Sequence, residues 1–153
     1  SADVFLDEIA AGAAGAGRSL ADVDITVAAS CEITDDVEAA GRRHAEGYAF
    51  TFGAMGSGST NFYNRAFARQ GFAEAVAEVQ RRWFAGDRDG ARRAVPTEIG
   101  LRTNLIGPPD EIRRRLAEYA AAGVDELRVN PMGDTLDAQL DGLGQLLDLA
   151  RSG

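Results

Sequence analysis

The chain has 153 residues, 45% of them hydrophobic and 26% charged, a composition typical of one globular domain with its own core. Its formal net charge is −8 and all 16 basic residues are arginine, so it is a poor ligand for nucleic acids and anionic membranes, whose binding depends on clustered cations. No apolar run approaches the roughly 18 residues of a membrane-spanning helix.

The single cysteine and the single histidine exclude two kinds of site. Cys31 has no second cysteine for an internal disulfide, which fits a reducing cytoplasm. His44 alone does not supply the three or four ligands of a zinc site, so we expect no metal. Residues 1–10 contain no secretory leader and begin with serine on a predicted helix, which suggests a piece of a longer protein.

The predicted elements begin with a helix over residues 1–17 and a strand over residues 25–33. The strand is β-branched and almost uncharged, as in a parallel sheet covered on both faces. A second helix follows, with Thr34 or Asp35 as its N-cap. The residues on its apolar face are Val37, Ala40, His44 and Tyr48. We therefore interpret the histidine as a structural helix residue.

Glycines interrupt the pattern at residues 53–60, and a helical region follows. Its clearest segment places Phe72, Val76, Val79 and Trp83 at successive spacings of four, three and four, which indicates an amphipathic helix. We interpret this stripe as core rather than as an aromatic binding platform.

The last third of the chain predicts a strand over residues 104–107, a helix opened by two prolines, and a strand over residues 126–129. Gly123 would form the left-handed turn between that helix and that strand. Thr135 would cap a final helix. The leucines on one side of this helix are Leu136, Leu140, Leu143 and Leu147.

Strands that alternate with helices form right-handed βαβ crossovers and a parallel sheet. We predict one α/β domain over residues 1–153 with about three parallel strands. A closed eight-stranded barrel takes about 200 residues or more. The chain is therefore either a small open sheet or the last part of a barrel.

Two motifs carry a resemblance to a known family. The glycine loop is followed by Asn61, Phe62, Tyr63 and Asn64, and the strand at 104–107 leads into a helix that starts Gly-Pro-Pro-Asp-Glu-Ile. Segments 53–72, 79–96 and 105–129, in that order, resemble luciferase-like monooxygenases. The branch that they resemble is the deazaflavin-dependent oxidoreductases of actinobacteria.

The resemblance covers nearly the whole chain but only the C-terminal half of that family. It implies the C-terminal part of a (β/α)8 TIM barrel, with residues 54–100 as a late helical insertion and the three strands as the sixth, seventh and eighth. It implies coenzyme F420 as cofactor, with FMN as the alternative, and hydride transfer to or from a small organic substrate. The first five strands carry most of the family's cofactor pocket, so we expect inactivity without the missing N-terminal half.

Functional groups of such barrels lie at the C-terminal ends of the strands and in the loops that follow them. The candidates for substrate or lid contacts are Ser30, Cys31, Met55, Gly56, Ser57, Asn61, Tyr63, Asn130 and Met132. The glycine loop would act as a lid with exposed N–H groups, or is an ordinary helix connection. The catalytic residues stay unassigned, and the cysteine has no neighbouring histidine to activate it.

Two other hypotheses remain. The chain could belong to an FMN-dependent luciferase-like monooxygenase, or it could be a small non-catalytic α/β domain that binds a partner protein through open sheet edges. A barrel part should expose apolar surface and form homo-oligomers or require its missing half. An independent domain should be monomeric and unfold cooperatively.

Overall fold

The structure is a computed structural model that describes residues 3–56 and 60–151. The chain divides into two compact units, Ser1–Asp35 with Leu105–Gly153, and Asp36–Asn104. The elements in chain order are α1 (Asp3–Gly15), β1 (Thr26–Ile33), α2 (Val37–Ala54), α3 (Phe62–Phe67), α4 (Ala73–Phe84), α5 (Arg88–Ala94), α6 (Thr97–Thr103), β2 (Leu105–Gly107), α7 (Pro109–Ala121), β3 (Glu126–Pro131) and α8 (Leu136–Arg151). The predicted α/β class with three parallel strands is confirmed, and the predicted insertion falls within the second unit.

The first unit is built on a parallel sheet of order β2-β1-β3. β1 pairs with β3 over six positions, from Thr26 opposite Glu126 to Cys31 opposite Pro131. β2 pairs only with the last three residues of β1. The predicted succession of sixth, seventh and eighth strands is therefore wrong for β2, because the long ladder joins β1 directly to β3 and leaves β2 on the other edge.

Helices α7 and α8 cover one face of this sheet. The buried cluster on that face is Cys31, Leu105, Ile112 and Leu146. Side chains alternate along a strand, and Thr26 and Ala28 on the opposite face are exposed. The prediction that the first strand is covered on both faces is wrong for the described residues, because both packing helices lie on the same side.

The N-caps of two helices can be compared with the residues predicted for them. Thr135 caps α8 as predicted, since its hydroxyl accepts a hydrogen bond of 3.2 Å from the helix backbone. At α2 the predicted caps Thr34 and Asp35 are wrong. Asp36 is the N-cap, and its carboxylate accepts a hydrogen bond of 3.3 Å from the Ala39 N–H. Three adjacent residues there suit a cap, so composition alone could not choose among them.

The leucines of α8 share one side as predicted, but that side is open. Leu136, Leu140 and Leu147 are 69%, 55% and 46% exposed. Leu146 is buried instead, and Leu149 packs against the same cluster. The helix therefore presents to the sheet a face that lies next to the leucine-rich one.

The second unit packs α2 to α6 around an apolar core. Val76 and Val79 are buried, and Phe72 and Trp83 pack against them, which confirms the predicted stripe. The other buried members are Ala45, Ala49, Phe52, Ala91, Val95 and Ile99. α6 approaches α2 closely at Gly100, where an added Cβ would lie 2.2 Å from the backbone oxygen of Gly41.

Candidate functional site

Two predicted site residues meet near the carboxyl end of the β1–β3 pair. Ser30 lies opposite Asn130 in the parallel register, and neighbouring strands are about 4.8 Å apart. Both residues lie on the sheet face opposite the buried Cys31, because residues in register share a face. Asn130 is exposed and Ser30 is half-buried. The pair therefore places a hydroxyl and a carboxamide side by side on an open surface.

The same face continues with polar residues toward the amino ends of the strands. Arg128 lies opposite Ala28, and Glu126 lies opposite Thr26. Arg128 and Glu126 are exposed, and they alternate with apolar residues that pack under the helices. Neither residue is among the candidates predicted above, although this period of two is visible in the sequence. Within the described part of the first unit, α7 and α8 pack on the other face; since a parallel barrel carries its helices outside, the face with Ser30 and Asn130 corresponds to a barrel interior.

Cys31 does not belong to this surface. Its side chain is only 5% exposed and packs with Leu105, Ile112 and Leu146. Burial, with a smaller contribution from the charge of Glu32, raises the pKa of the thiol to about 11. The residue is a neutral core side chain, so its predicted role in lining the site is not supported.

Met132 follows β3 and keeps an exposed side chain. Its backbone N–H donates a hydrogen bond of 3.0 Å to the carbonyl oxygen of Cys31, which extends the β1–β3 pairing by one bond. The side chain is 44% exposed. Ser30, Asn130 and Met132 thus remain at the carboxyl end of the strand pair, as the sequence predicted.

The glycine loop belongs to the second unit and is described only in part. Gly56 has φ +98°, and an added Cβ would lie 3.0 Å from the backbone of Thr60 and Asn61, so the position requires glycine. Met55 beside it is 39% exposed. Ser57 lies outside the described residues.

Asn61 has a structural role in this unit. Its amide nitrogen donates to the carbonyl oxygens of Thr51 at 3.2 Å and Phe52 at 3.1 Å. Its side-chain oxygen accepts from the Asn64 N–H at 3.1 Å. Asn61 therefore provides hydrogen-bond partners both for carbonyl groups at the end of α2 and for a backbone N–H at the start of α3. The residue is only 5% exposed. Because its polar atoms are already bonded, its predicted role as a ligand contact is not supported.

Tyr63 lies beside an aromatic residue that is not among the predicted candidates. The rings of Phe62 and Tyr63 meet edge to face with centroids 5.7 Å apart. Phe62 is 65% and Tyr63 39% exposed. Phe62 and Tyr63 therefore form an exposed aromatic pair on the second unit.

Charged groups with shifted pKa values lie on helix surfaces. Hydrogen bonds from Arg81 and Arg82 lower the pKa of Glu78, and a hydrogen bond from Arg114 lowers that of Glu111. These are ion pairs within α4 and within α7. In residues 3–56 and 60–151, no group of three or more His, Cys, Asp or Glu side chains is placed to hold a metal ion, and no helix is long and apolar enough to cross a bilayer.

The chain is similar to a known protein family and to a known protein. The profile of the luciferase-like monooxygenase family matches residues 1–126. A protein of Mycobacterium tuberculosis, described as a coenzyme F420-dependent oxidoreductase, is 34% identical over 110 residues. No solved structure gives a significant match.

The lengths of the two proteins differ greatly. The matched stretch makes up 72% of this chain but only 32% of the mycobacterial protein. The chain therefore spans about a third of the length of the relative that it matches.

Proposed function

This chain belongs to the luciferase-like monooxygenase family, and we propose that it forms the C-terminal portion of a coenzyme F420-dependent oxidoreductase. The activity would be hydride transfer between the deazaflavin and a small organic substrate. The observation that carries the proposal is the identity of 34% with a relative that bears this description. The relative is about three times longer than the matched stretch, so the complete activity would also need an N-terminal portion.

Ser30 and Asn130 are the residues that we propose to face the cofactor or substrate. Coenzyme F420 supplies a ring that carries hydride, and the edge of this ring has carbonyl and N–H groups. The hydroxyl of Ser30 and the carboxamide of Asn130 are neutral donors and acceptors on one open face, which suits hydrogen bonding to such an edge. Their role would be to orient the ring and not to exchange protons with it.

On the second unit, the candidates for contacts to an organic molecule are exposed apolar side chains. Met55, Phe62 and Tyr63 expose thioether and aromatic surface beside the glycine loop. Apolar surface of this kind suits the carbon skeleton of an organic molecule. Gly56 supplies a left-handed turn at the start of the glycine loop, and the role of this loop as a lid stays a prediction.

A cofactor titration tests the proposal. The chain is titrated with F420 and separately with FMN, first alone and then together with the N-terminal portion of the mycobacterial relative. We expect little binding by the chain alone and F420 binding by the two parts together. Tight F420 binding by the chain alone would contradict the placement of the pocket upstream.

Two further outcomes separate the alternatives. FMN bound in preference to F420 would favour the flavin-dependent monooxygenase. A monomer that unfolds cooperatively and binds neither cofactor under either condition would favour the small protein-binding domain. Homo-oligomerisation and a cytoplasmic location stay predictions.

A further inference from the structure

Arg128 carries a positive charge on the open sheet face, the face on which Ser30 and Asn130 lie. It is two residues before Asn130 on β3, so both side chains are on the same face. The proposed hydrogen bonds to the cofactor ring come from neutral groups and leave this charge without a role. The other residues that β1 and β3 place on this face are neutral or acidic: Thr26, Ala28, Glu32 and Glu126.

The guanidinium group of Arg128 has no partner within the part of the chain that the structure describes. No hydrogen bond, ion pair or ring contact there involves this side chain, although Glu126 lies on the same face two residues earlier. The side chain is exposed. Inside a barrel, a guanidinium group without a partner would cost several kcal/mol of desolvation. The charge of Arg128 therefore requires an anion that the described residues do not supply.

The side chain of Arg128 is long enough to reach Ser30 and Asn130. Residues two apart on a strand are separated by about 6.6 Å along it, and an arginine carries its guanidinium group on a flexible stem that spans a comparable distance. Ala28 lies opposite Arg128 in the register, and its methyl group leaves space for the guanidinium group above β1. The charge can therefore lie beside the hydroxyl and the carboxamide at the carboxyl end of the strands.

A guanidinium group beside two neutral polar groups suits a carboxylate or a phosphate. The guanidinium N–H groups form a planar fork that donates to two oxygens of such an anion at once. The hydroxyl of Ser30 and the amide N–H groups of Asn130 can donate further hydrogen bonds to the same group. A neutral ligand would leave the charge of Arg128 uncompensated in an enclosed site, which disfavours its binding.

We propose that Arg128 binds an anionic group of the organic substrate, so that the substrates are small carboxylates or phosphate esters. The inference rests on the proposed function, because a substrate meets this face only in the assembled enzyme. Its support is the unpaired guanidinium group next to the Ser30–Asn130 pair. Two other anions could take this place, a carboxylate of the N-terminal portion and the acidic tail of F420 itself, and the test separates them from the substrate.

The test is calorimetric titration of the complex between the full chain and the N-terminal portion of the mycobacterial relative, with and without F420. The probes are acetate and inorganic phosphate at constant ionic strength. We expect saturable binding of at least one probe beside bound F420, weakened at least tenfold by Arg128→Gln. Arg128→Lys keeps the charge but not the fork, so its affinity should be intermediate. Arg151→Gln is the matched control, because it removes an exposed arginine of α8 in the same unit, and it should leave probe binding unchanged.

The outcomes separate this inference from the proposed function. A complex that binds F420 but neither probe, or binds the probes equally well after Arg128→Gln, would overturn the inference alone. A loss of F420 affinity in Arg128→Gln that disappears with the tail-free deazaflavin would assign the arginine to the cofactor, and loss of the complex in this variant would assign it to the N-terminal portion; either would overturn the inference. Probe binding that requires Arg128 in a complex without affinity for F420 would contradict the proposed function alone. Failure of the unmodified chain to form the complex would contradict both.

Discussion

The amide nitrogen of Asn61 donates a hydrogen bond of 3.1 Å to the carbonyl oxygen of Phe52, nine residues earlier in the chain. Phe52 is in the last turn of α2, whose final carbonyls have no partner within the helix. Asn61 also caps α3. One buried side chain therefore links the end of α2 to the start of α3.

We expect Asn61→Ala to lower the free energy of unfolding by about 2 kcal/mol, because it removes an N-cap and the hydrogen bonds to the carbonyl oxygens of Thr51 and Phe52. Urea unfolding followed by circular dichroism measures the change. Asn130→Ala is the matched control, because Asn130 is exposed on β3, and it should change stability by less than about 0.5 kcal/mol. Equal effects of the two substitutions would contradict the structural role of Asn61.

Two helical glycines should respond to alanine with opposite signs. Gly100→Ala places a Cβ 2.2 Å from the Gly41 oxygen, and should destabilise the protein by about 3 kcal/mol because backbone must move. Gly144→Ala in α8 meets nothing within 4 Å, and should stabilise it by up to about 1 kcal/mol through helix propensity. Thermal unfolding of both variants checks the signs. A tolerated Gly100→Ala would mean that α2 and α6 can move apart at little cost.

The sequence predicted the elements well where a single physical signal decided them. The spacing of Val76 and Val79 identified the buried side of α4, and Thr135 was the evident cap of α8. Parallel pairing was implied by the alternation of strands and helices, and this placed Ser30 and Asn130 near one end of the sheet. These features depend on the local periodicity of apolar residues and on the order of the elements along the chain, and both can be read from a single sequence.

Other features depend on contacts that local patterns do not specify. Both Leu146 and Leu147 are apolar, and only the packing of α8 on the sheet determines which one is buried. The placement of β2 at an edge depends on which strand offers β1 the longer ladder. Cys31 is buried because it lies on the face of β1 that α7 and α8 cover. The sequence of β1 is almost uncharged, so it does not show which face of the strand is covered.

The thiol of Cys31 should react slowly while the protein is folded. Burial raises its pKa to about 11, so alkylation by iodoacetamide at pH 8 should be about 100-fold slower than in the urea-unfolded chain, since the thiolate is the reactive form. Mass spectrometry of timed samples measures the rate. Similar rates in the two states would contradict the burial of this residue.

The same shift predicts a dependence of stability on pH. Well below pH 9 the thiol is almost entirely neutral in both the folded and the unfolded state. As the pH rises from 9.0 to about 11, the unfolded thiol ionises first, so the free energy of unfolding should fall. The decline should be smaller in Cys31→Ala, measured by urea unfolding across that range. Identical curves for the two proteins would show that the thiol does not contribute.

Asn130→Ala should weaken F420 binding about tenfold in the complex with the N-terminal portion of the relative, because one hydrogen bond to the ring contributes about 1.4 kcal/mol. Ser30→Ala should act in the same direction. Both side chains lie near the carboxyl end of the open sheet face, where parallel barrels bind ligands. Thr26→Ala is the control, since Thr26 is exposed on the same face of β1 near its amino end. Fluorescence titration gives the Kd of each variant. A loss of affinity in Thr26→Ala as large as that in Asn130→Ala would mean that the whole face, and not its carboxyl end, determines binding.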